Sequence, residues 1–212
     1  MKYAYVYVLD TMADWELGFV IAELNSGQYF KRRGSRLPVR TVGASTRPII
    51  TKGGMTIVPD LTVDEIALEA SAVLLLPGAD TWKDPAHGPI VEKTKQLLDV
   101  GGNVAAICGA TMALADAGLL DYRQHTSNSL EYLTLFSPAY KGAARYKDEK
   151  IVTEDNLITT GSAGALLLAR EVIALLDLFA EETLEAWYNY FTTGNPKYFQ
   201  VMMETLQDSN SV

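Results

Sequence analysis

The 212-residue chain has one cysteine, Cys108, and two histidines, His87 and His125. A single cysteine excludes an internal disulfide. With only two separated histidines there is no metal-ligand spacing either, so neither a metal nor any other cofactor is expected. Basic residues are also short: 18 Lys and Arg against 26 Asp and Glu leave a net charge of −8 and a pI near 4.8. Nucleic-acid binding needs a basic face, so no nucleic-acid partner is expected. No run approaches the roughly 18 apolar residues of a membrane span. The opening KYAYVYVLD lacks a small-residue cleavage site. The expectation is a cytoplasmic protein with no membrane partner. Gly53-Gly54 and Gly101-Gly102 match no phosphate-binding fingerprint, and there are no repeats or low-complexity tracts.

What is present is an alternation of strand-like and helix-like runs. Lys2–Leu9 reads as a strand, and Leu17, Val20, Ile21 and Leu24 recur at helical spacing within a helix over Trp15–Leu24. Leu37–Ala44 is a further strand. Arg47–Val58, interrupted by Gly53-Gly54, reads as a hairpin. Ala72–Leu76 is continuously apolar and ends at Pro77-Gly78, as a buried parallel strand running into a loop would. Pro89–Val100 is helical, Ser129–Leu135 a short helix, and Arg145–Thr160 a pair of strands around Glu154-Asp155-Asn156. Ser162–Leu178 is a long apolar helix. The class that follows is a doubly wound, mostly parallel α/β sheet with helices on both faces, flavodoxin-like, whose sites lie beyond the carboxyl ends of the strands. Residues 1–178 form that domain. Residues 179–212 form a two-helix extension packed on it (Glu181–Phe191 and Pro196–Leu206), with frayed residues from Asp208 to Val212. Leu184, Trp187, Tyr188 and Phe191 make the packing stripe of the first of these helices.

The densest chemical signal is NVAAICGATMAL, Asn103–Leu114, which puts Cys108 on the turn between a buried strand and a helix. Ala106 and Ala110 flank it two residues away on either side. A strained strand-to-helix elbow has this demand for small neighbours, and a helix N-terminus favours thiolate over thiol. A nucleophile there needs oxyanion donors. The N–H of Gly109 is one candidate, and the loop LPGAD offers Gly78 and Ala79. Asp14-Trp15-Glu16 lies just past the first strand, and an inward-facing Glu16 would have its pKa raised by desolvation and could share a proton with the sulfur. His87 and His125 are the candidate proton partners. Asp14, Trp15, Trp82 and Asn128 are candidate cleft-lining residues.

These motifs carry a resemblance. The helix-start carboxylate, LLLPGAD, AICGAT and LITTGSAGALLLAREVIALL together resemble the ThiJ/PfpI family of the class I glutamine amidotransferase-like superfamily, over residues 1–178. The resemblance implies a Cys108 nucleophile, a Glu16 carboxylate hydrogen-bonded to it, and an oxyanion pocket at Gly78 and Gly109. It also implies a homodimer or larger assembly, and roles ranging from peptidase to stress protein to glyoxal enzyme. Two departures stand out. Peptidase-type members carry histidine directly after the nucleophile, where this chain has Gly109. Others carry one in the strand after the elbow helix, where Asn128 stands and His125 is three residues off. A late histidine–glutamate pair is missing, so glutaminase activity is not expected.

The leading functional expectation is a cysteine-dependent, hydrolase-like enzyme acting on a small-molecule or peptide substrate, through amide hydrolysis or through aldehyde processing. The alternatives are a redox-sensing or stress-protective protein acting through oxidation of Cys108, and a non-catalytic protein acting through its C-terminal helices.

Overall fold

The structure is a computed structural model describing residues 1–208. Its centre is a seven-stranded sheet built from β1 (Tyr3–Tyr7), β2 (Val39–Gly43), β5 (Leu61–Thr62), β6 (Ser71–Leu76), β7 (Asn103–Ile107), β8 (Ile151–Glu154) and β9 (Leu157–Thr160), in the order β5-β2-β1-β6-β7-β9-β8. All pairings are parallel except β8 with β9, which are joined by the Glu154-Asp155-Asn156 turn. β3 (Ile49–Ile50) and β4 (Thr56–Ile57) form the expected hairpin as a separate antiparallel pair. The helices are α1 (Gly18–Ser26), α2 (Gly88–Asp99), α3 (Gly109–Asp116), α4 (Leu130–Phe136), α5 (Ala165–Leu175), α6 (Glu181–Thr193) and α7 (Pro196–Asp208). The expected doubly wound class is what is observed.

Burial explains the central strands. β6 and β7 are almost wholly sealed, as continuous apolar runs must be when helices cover both faces. From β1 the chain winds outward to β2 and β5, then returns to β6, β7 and β9 on the other side. The switch lies between β1 and β6, and the crevice at such a reversal is where α/β sheets bind ligands. Glu16 follows β1, Gly78 follows β6 and Cys108 follows β7.

Several boundaries differ from expectation. α1 begins at Gly18, leaving Asp14–Leu17 as a turn in which the Glu16 N–H donates to the Ala13 carbonyl. The long apolar helix starts at Ala165, after a single tight turn over 162–164, and ends at Leu175. Thr126–Asn128 is not a strand. Pairing there reduces to one bridge between His125 and Tyr146, because the Thr126 N–H is taken by the Thr159 hydroxyl (2.9 Å). Asp208 closes α7, and residues 209–212 of the expected frayed end lie outside the described residues.

α6 docks through Trp187, which is fully buried. Its indole N–H donates to Glu23 Oε1 on α1 at 2.9 Å, and its ring meets Phe19, Phe179 and Phe191. Among the described residues, no helix is long and apolar enough to cross a membrane.

Candidate active site

Cys108 sits at the elbow with φ 56° and ψ −120°, a region that costs a side-chain-bearing residue on the order of 1–3 kcal/mol. The surroundings hold it there. Its N–H donates to the Thr160 carbonyl (3.0 Å), and its carbonyl accepts from the Thr111 N–H (3.0 Å) and hydroxyl (2.6 Å). The buried Ser127 hydroxyl lies 2.6 Å from Thr111 Oγ1. Because Thr111 uses its proton on Cys108, Ser127 is the donor in that pair, and the two hydroxyls form a chain ending on the elbow. Sequence reading did not single out Thr111 or Ser127. The hydroxyl spacing is visible, but not that the chain folds it under the turn.

Glu16 has no exposed surface. Its Oε2 accepts the Gly78 N–H at 2.5 Å, while Oε1 is buried with no hydrogen-bond partner among the described residues. The carboxyl and the Cys108 thiol are close enough to perturb each other. The packing between them explains Gly78: a methyl there would lie 2.7 Å from Cys108 Cβ and 2.7 and 2.9 Å from the two Glu16 oxygens.

The expectation for Gly78 as an oxyanion donor is corrected, since its N–H is committed to Glu16. The next N–H along the loop, that of Ala79, has no acceptor among the described residues. A methyl built on Gly109 would come within 3.1 Å of that nitrogen and 2.8 Å of the Ala79 carbonyl. The amides left at the elbow are therefore that of Gly109, which faces the thiol, and that of Ala79, which packs beside Gly109. The same closeness leaves no room for a side chain after the nucleophile, because Trp82 Cδ1 would also lie 3.1 Å from it.

Asn128 faces the sulfur from the other side. Its Nδ2 donates to Cys108 Sγ at 3.3 Å, and its Oδ1 accepts the Ser162 N–H at 2.8 Å. That second bond fixes the amide's sense: the end toward sulfur can only donate. Asn128 can steady a thiolate, but it cannot take a proton from it.

The other candidates are placed elsewhere. His87 Nδ1 pairs with the Tyr7 hydroxyl (2.7 Å), and the Tyr7, Trp82 and His87 rings pack together. His125 is held at both nitrogens, by the Arg123 carbonyl (2.7 Å) and the Tyr140 hydroxyl (2.6 Å). Burial pushes both imidazoles below their usual pKa, so both are neutral at pH 7. Neither makes a hydrogen bond to Cys108. Trp82 is buried and donates to the Pro77 carbonyl (2.8 Å), supporting the loop from behind. Trp15 is exposed. Asp14 binds the Gly53 N–H of the hairpin (2.6 Å), and the Thr51 hydroxyl and that N–H hold its carboxyl low.

Burial raises Glu16, as expected, against the pull of the Gly78 N–H. Burial also raises the Cys108 thiol, helped by the Glu16 charge and opposed by the Asn128 and Gly109 donors. The pull of the helix N-terminus toward thiolate is opposed here by desolvation and a neighbouring anion. The two groups resist carrying two negative charges together and hold one proton between them. Among the described residues, no cluster of three metal-ligating side chains exists.

Comparison with known proteins agrees with this fold. Residues 2–175 match the model of the DJ-1/PfpI family. Over 202 residues the chain is 45% identical to the Bacillus subtilis protein named Uncharacterized protease YoaZ, covering 95% of this chain and 96% of that one. A thiJ/pfpI family protein from Bacillus anthracis, known from its crystal structure, superposes with TM-score 0.93 at 47% identity, covering 96% of each chain. A more distant relative, 26% identical over 143 residues (66% of this chain, 74% of that one), is the Caenorhabditis elegans protein named Glutathione-independent glyoxalase DJR-1.2.

Proposed function

Because the chain belongs to the DJ-1/PfpI family, we propose that it is a cysteine-dependent enzyme that processes reactive aldehydes, with Cys108 as nucleophile and Glu16 as its proton carrier. The observation that supports this over peptide hydrolysis is the proton inventory at the sulfur. Glu16 is the carboxyl packed on Cys108, Tyr132 feels the same charges but turns its hydroxyl to the Met112 sulfur, both histidines are bonded elsewhere, and position 109 has no room for a third. Amide hydrolysis needs an acid to protonate a departing amine, usually a histidine at the nucleophile. Addition to an aldehyde expels nothing and needs one group that takes and returns a proton.

For an α-oxoaldehyde the steps balance as follows. The Cys108 sulfur adds to the aldehyde carbon, the carbonyl electrons move to oxygen beside the Ala79 and Gly109 N–H groups, and the shared proton ends on that oxygen. The Glu16 carboxylate then removes the C–H proton of the adduct to give an enediolate, the adduct's hydroxyl proton passes to the former ketone oxygen, and Glu16 returns its proton to the former ketone carbon, giving a 2-hydroxy thioester. Water releases the 2-hydroxy acid and restores the thiol. No oxidant, metal or second base is consumed. Addition can proceed as the proton passes to Glu16.

Turnover of methylglyoxal, followed by proton NMR of the hydroxy acid, tests the proposal. Cys108→Ala should abolish it, and Glu16→Gln should lower kcat by about 10²–10⁴-fold. Hydrolysis of peptides or amides without any aldehyde turnover would overturn it. Activity that survives Cys108→Ala would do the same.

A further inference from the structure

Asn128 both bonds the Cys108 sulfur and lines a groove. The groove is about 560 Å³, within the range of small-molecule sites. Asn128 and Ser162 stand at its head, Leu166 and Leu167 of α5 line it, and Tyr146 and Tyr188 contribute two aromatic rings. Both tyrosines are set before any ligand arrives. Tyr146 meets the His125 ring edge-on at 5.9 Å, and His125 is itself pinned at both nitrogens. Tyr188 lies under the Arg170 guanidinium at 5.7 Å, and Arg170 is paired with Glu171 and Glu185. Walls held by such anchors lose little freedom when a ligand binds. The groove thus borders Asn128, the side chain bonded to the reactive sulfur, carries apolar and aromatic surface alongside the charged Asp148, Glu149 and Lys150, and takes one ring from a C-terminal helix beyond residue 175, where the match to the family model ends.

We propose that this groove is the subsite for the non-reacting part of the substrate, selecting carbonyl compounds that carry an aromatic or bulky apolar substituent, with Tyr188 as a specificity-determining residue. The inference rests on Cys108 being the nucleophile. It also makes His125 and the Arg170 cluster positioning groups, each holding one of the two rings. Finally, it assigns α6 a direct part in binding, which docking through Trp187 alone does not require.

The test uses the intact chain and needs no turnover. Cys108 is alkylated with iodoacetamide and with N-benzyl iodoacetamide at one pH, the rates are read by intact mass, and each is divided by the rate for a free thiol such as N-acetylcysteine. The benzyl reagent should label faster by about tenfold, as a filled apolar subsite implies, and its rate should saturate with concentration. Tyr188→Ala should remove that preference, while Tyr188→Phe should keep it. Ala163→Trp, which places bulk in the groove, should also remove it. Equal normalised rates for the two reagents, or a preference that survives both Tyr188→Ala and Ala163→Trp, would overturn the subsite. A preference that varies with protein concentration would assign the groove to a second copy of the chain and overturn it as well. Failure of Cys108 to react even with iodoacetamide strikes the nucleophile reading instead, so the two failures are told apart.

Discussion

At the carboxyl ends of β1, β6 and β7, position is set by backbone and by the absence of side chains. Gly78 admits the Glu16 carboxyl against Cys108, Gly109 admits the Ala79 backbone, and hydroxyls brace the elbow. At the junction of α6 with α1 and α5, position is set by bulk: a sealed indole, three phenylalanine rings, and one hydrogen bond to a half-buried glutamate. The first region has no slack, so one added methyl group matters there. The second is a hydrophobic contact whose energy scales with the area it covers, so it tolerates reshaping and fails when volume is removed. Chemistry is placed where the chain is stiff, and the docked helices supply surface.

The largest effect should come from breaking the second region. Trp187→Ala removes a fully buried indole and leaves the Glu23 carboxyl without its donor; urea denaturation should show a loss of about 3–5 kcal/mol. In the folded fraction the pH profile of Cys108 alkylation should not move, because no contact of Trp187 reaches the elbow. A loss below about 1 kcal/mol would mean that the helix is held elsewhere. Gly78→Ala tests the first region. Its methyl meets Cys108 and Glu16 inside 3 Å, so stability should fall by about 1–3 kcal/mol. Turnover should fall by a hundredfold or more, as expected when the proton carrier is displaced from its nucleophile. Full turnover in this variant would show that Glu16 and Cys108 need not touch.

The difference between the regions also governs what could be read from the sequence. The elbow was legible because a β-branched run, a cysteine and small residues follow one another within twelve positions, and the local sterics admit few other arrangements. The hairpin, the parallel core and both C-terminal helices were legible from periodicity and Gly punctuation. Hydrogen-bond direction across distant segments was not. That the Gly78 N–H turns to Glu16 depends on residues 62 positions apart, and that His87 and His125 are held by Tyr7 and Tyr140 depends on contacts 80 and 15 residues away. The direction of the thiol's shift was hidden for a related reason. A helix N-terminus is visible in sequence, whereas the depth of burial that opposes it is a property of the whole fold.

A smaller effect, of opposite sign, is expected at Glu16. Burial raises its folded pKa above the unfolded value, so its proton contributes stability below the unfolded pKa, near 4.3, and that contribution is lost as pH rises through the folded value. Above that window the wild type keeps a buried charge that Glu16→Gln does not have. The variant should therefore melt higher than wild type at pH 8, by an equivalent of about 1 kcal/mol, with the gap closing by pH 4. A gap that does not change with pH would place its origin in packing and not in ionisation. Removing the anion should also lower the Cys108 pKa, so the variant that abolishes proton transfer should alkylate more readily at neutral pH.

The finest test separates donor from acceptor at the sulfur. Asn128→Ala deletes the amide that donates to Sγ and leaves the Ser162 N–H without its acceptor. Loss of a donor to the thiolate moves the Cys108 pKa upward, the reverse of Glu16→Gln. One hydrogen bond of about 1 kcal/mol should slow alkylation at pH 7 by about fivefold. Combined with Glu16→Gln, the two shifts should largely cancel in the pKa while turnover stays lost. That outcome would show that the thiol's acidity and the site's proton traffic reside on different side chains. If Asn128→Ala instead lowers the thiol pKa, the amide is turned the other way, with its oxygen toward sulfur, and Asn128 destabilises the thiolate.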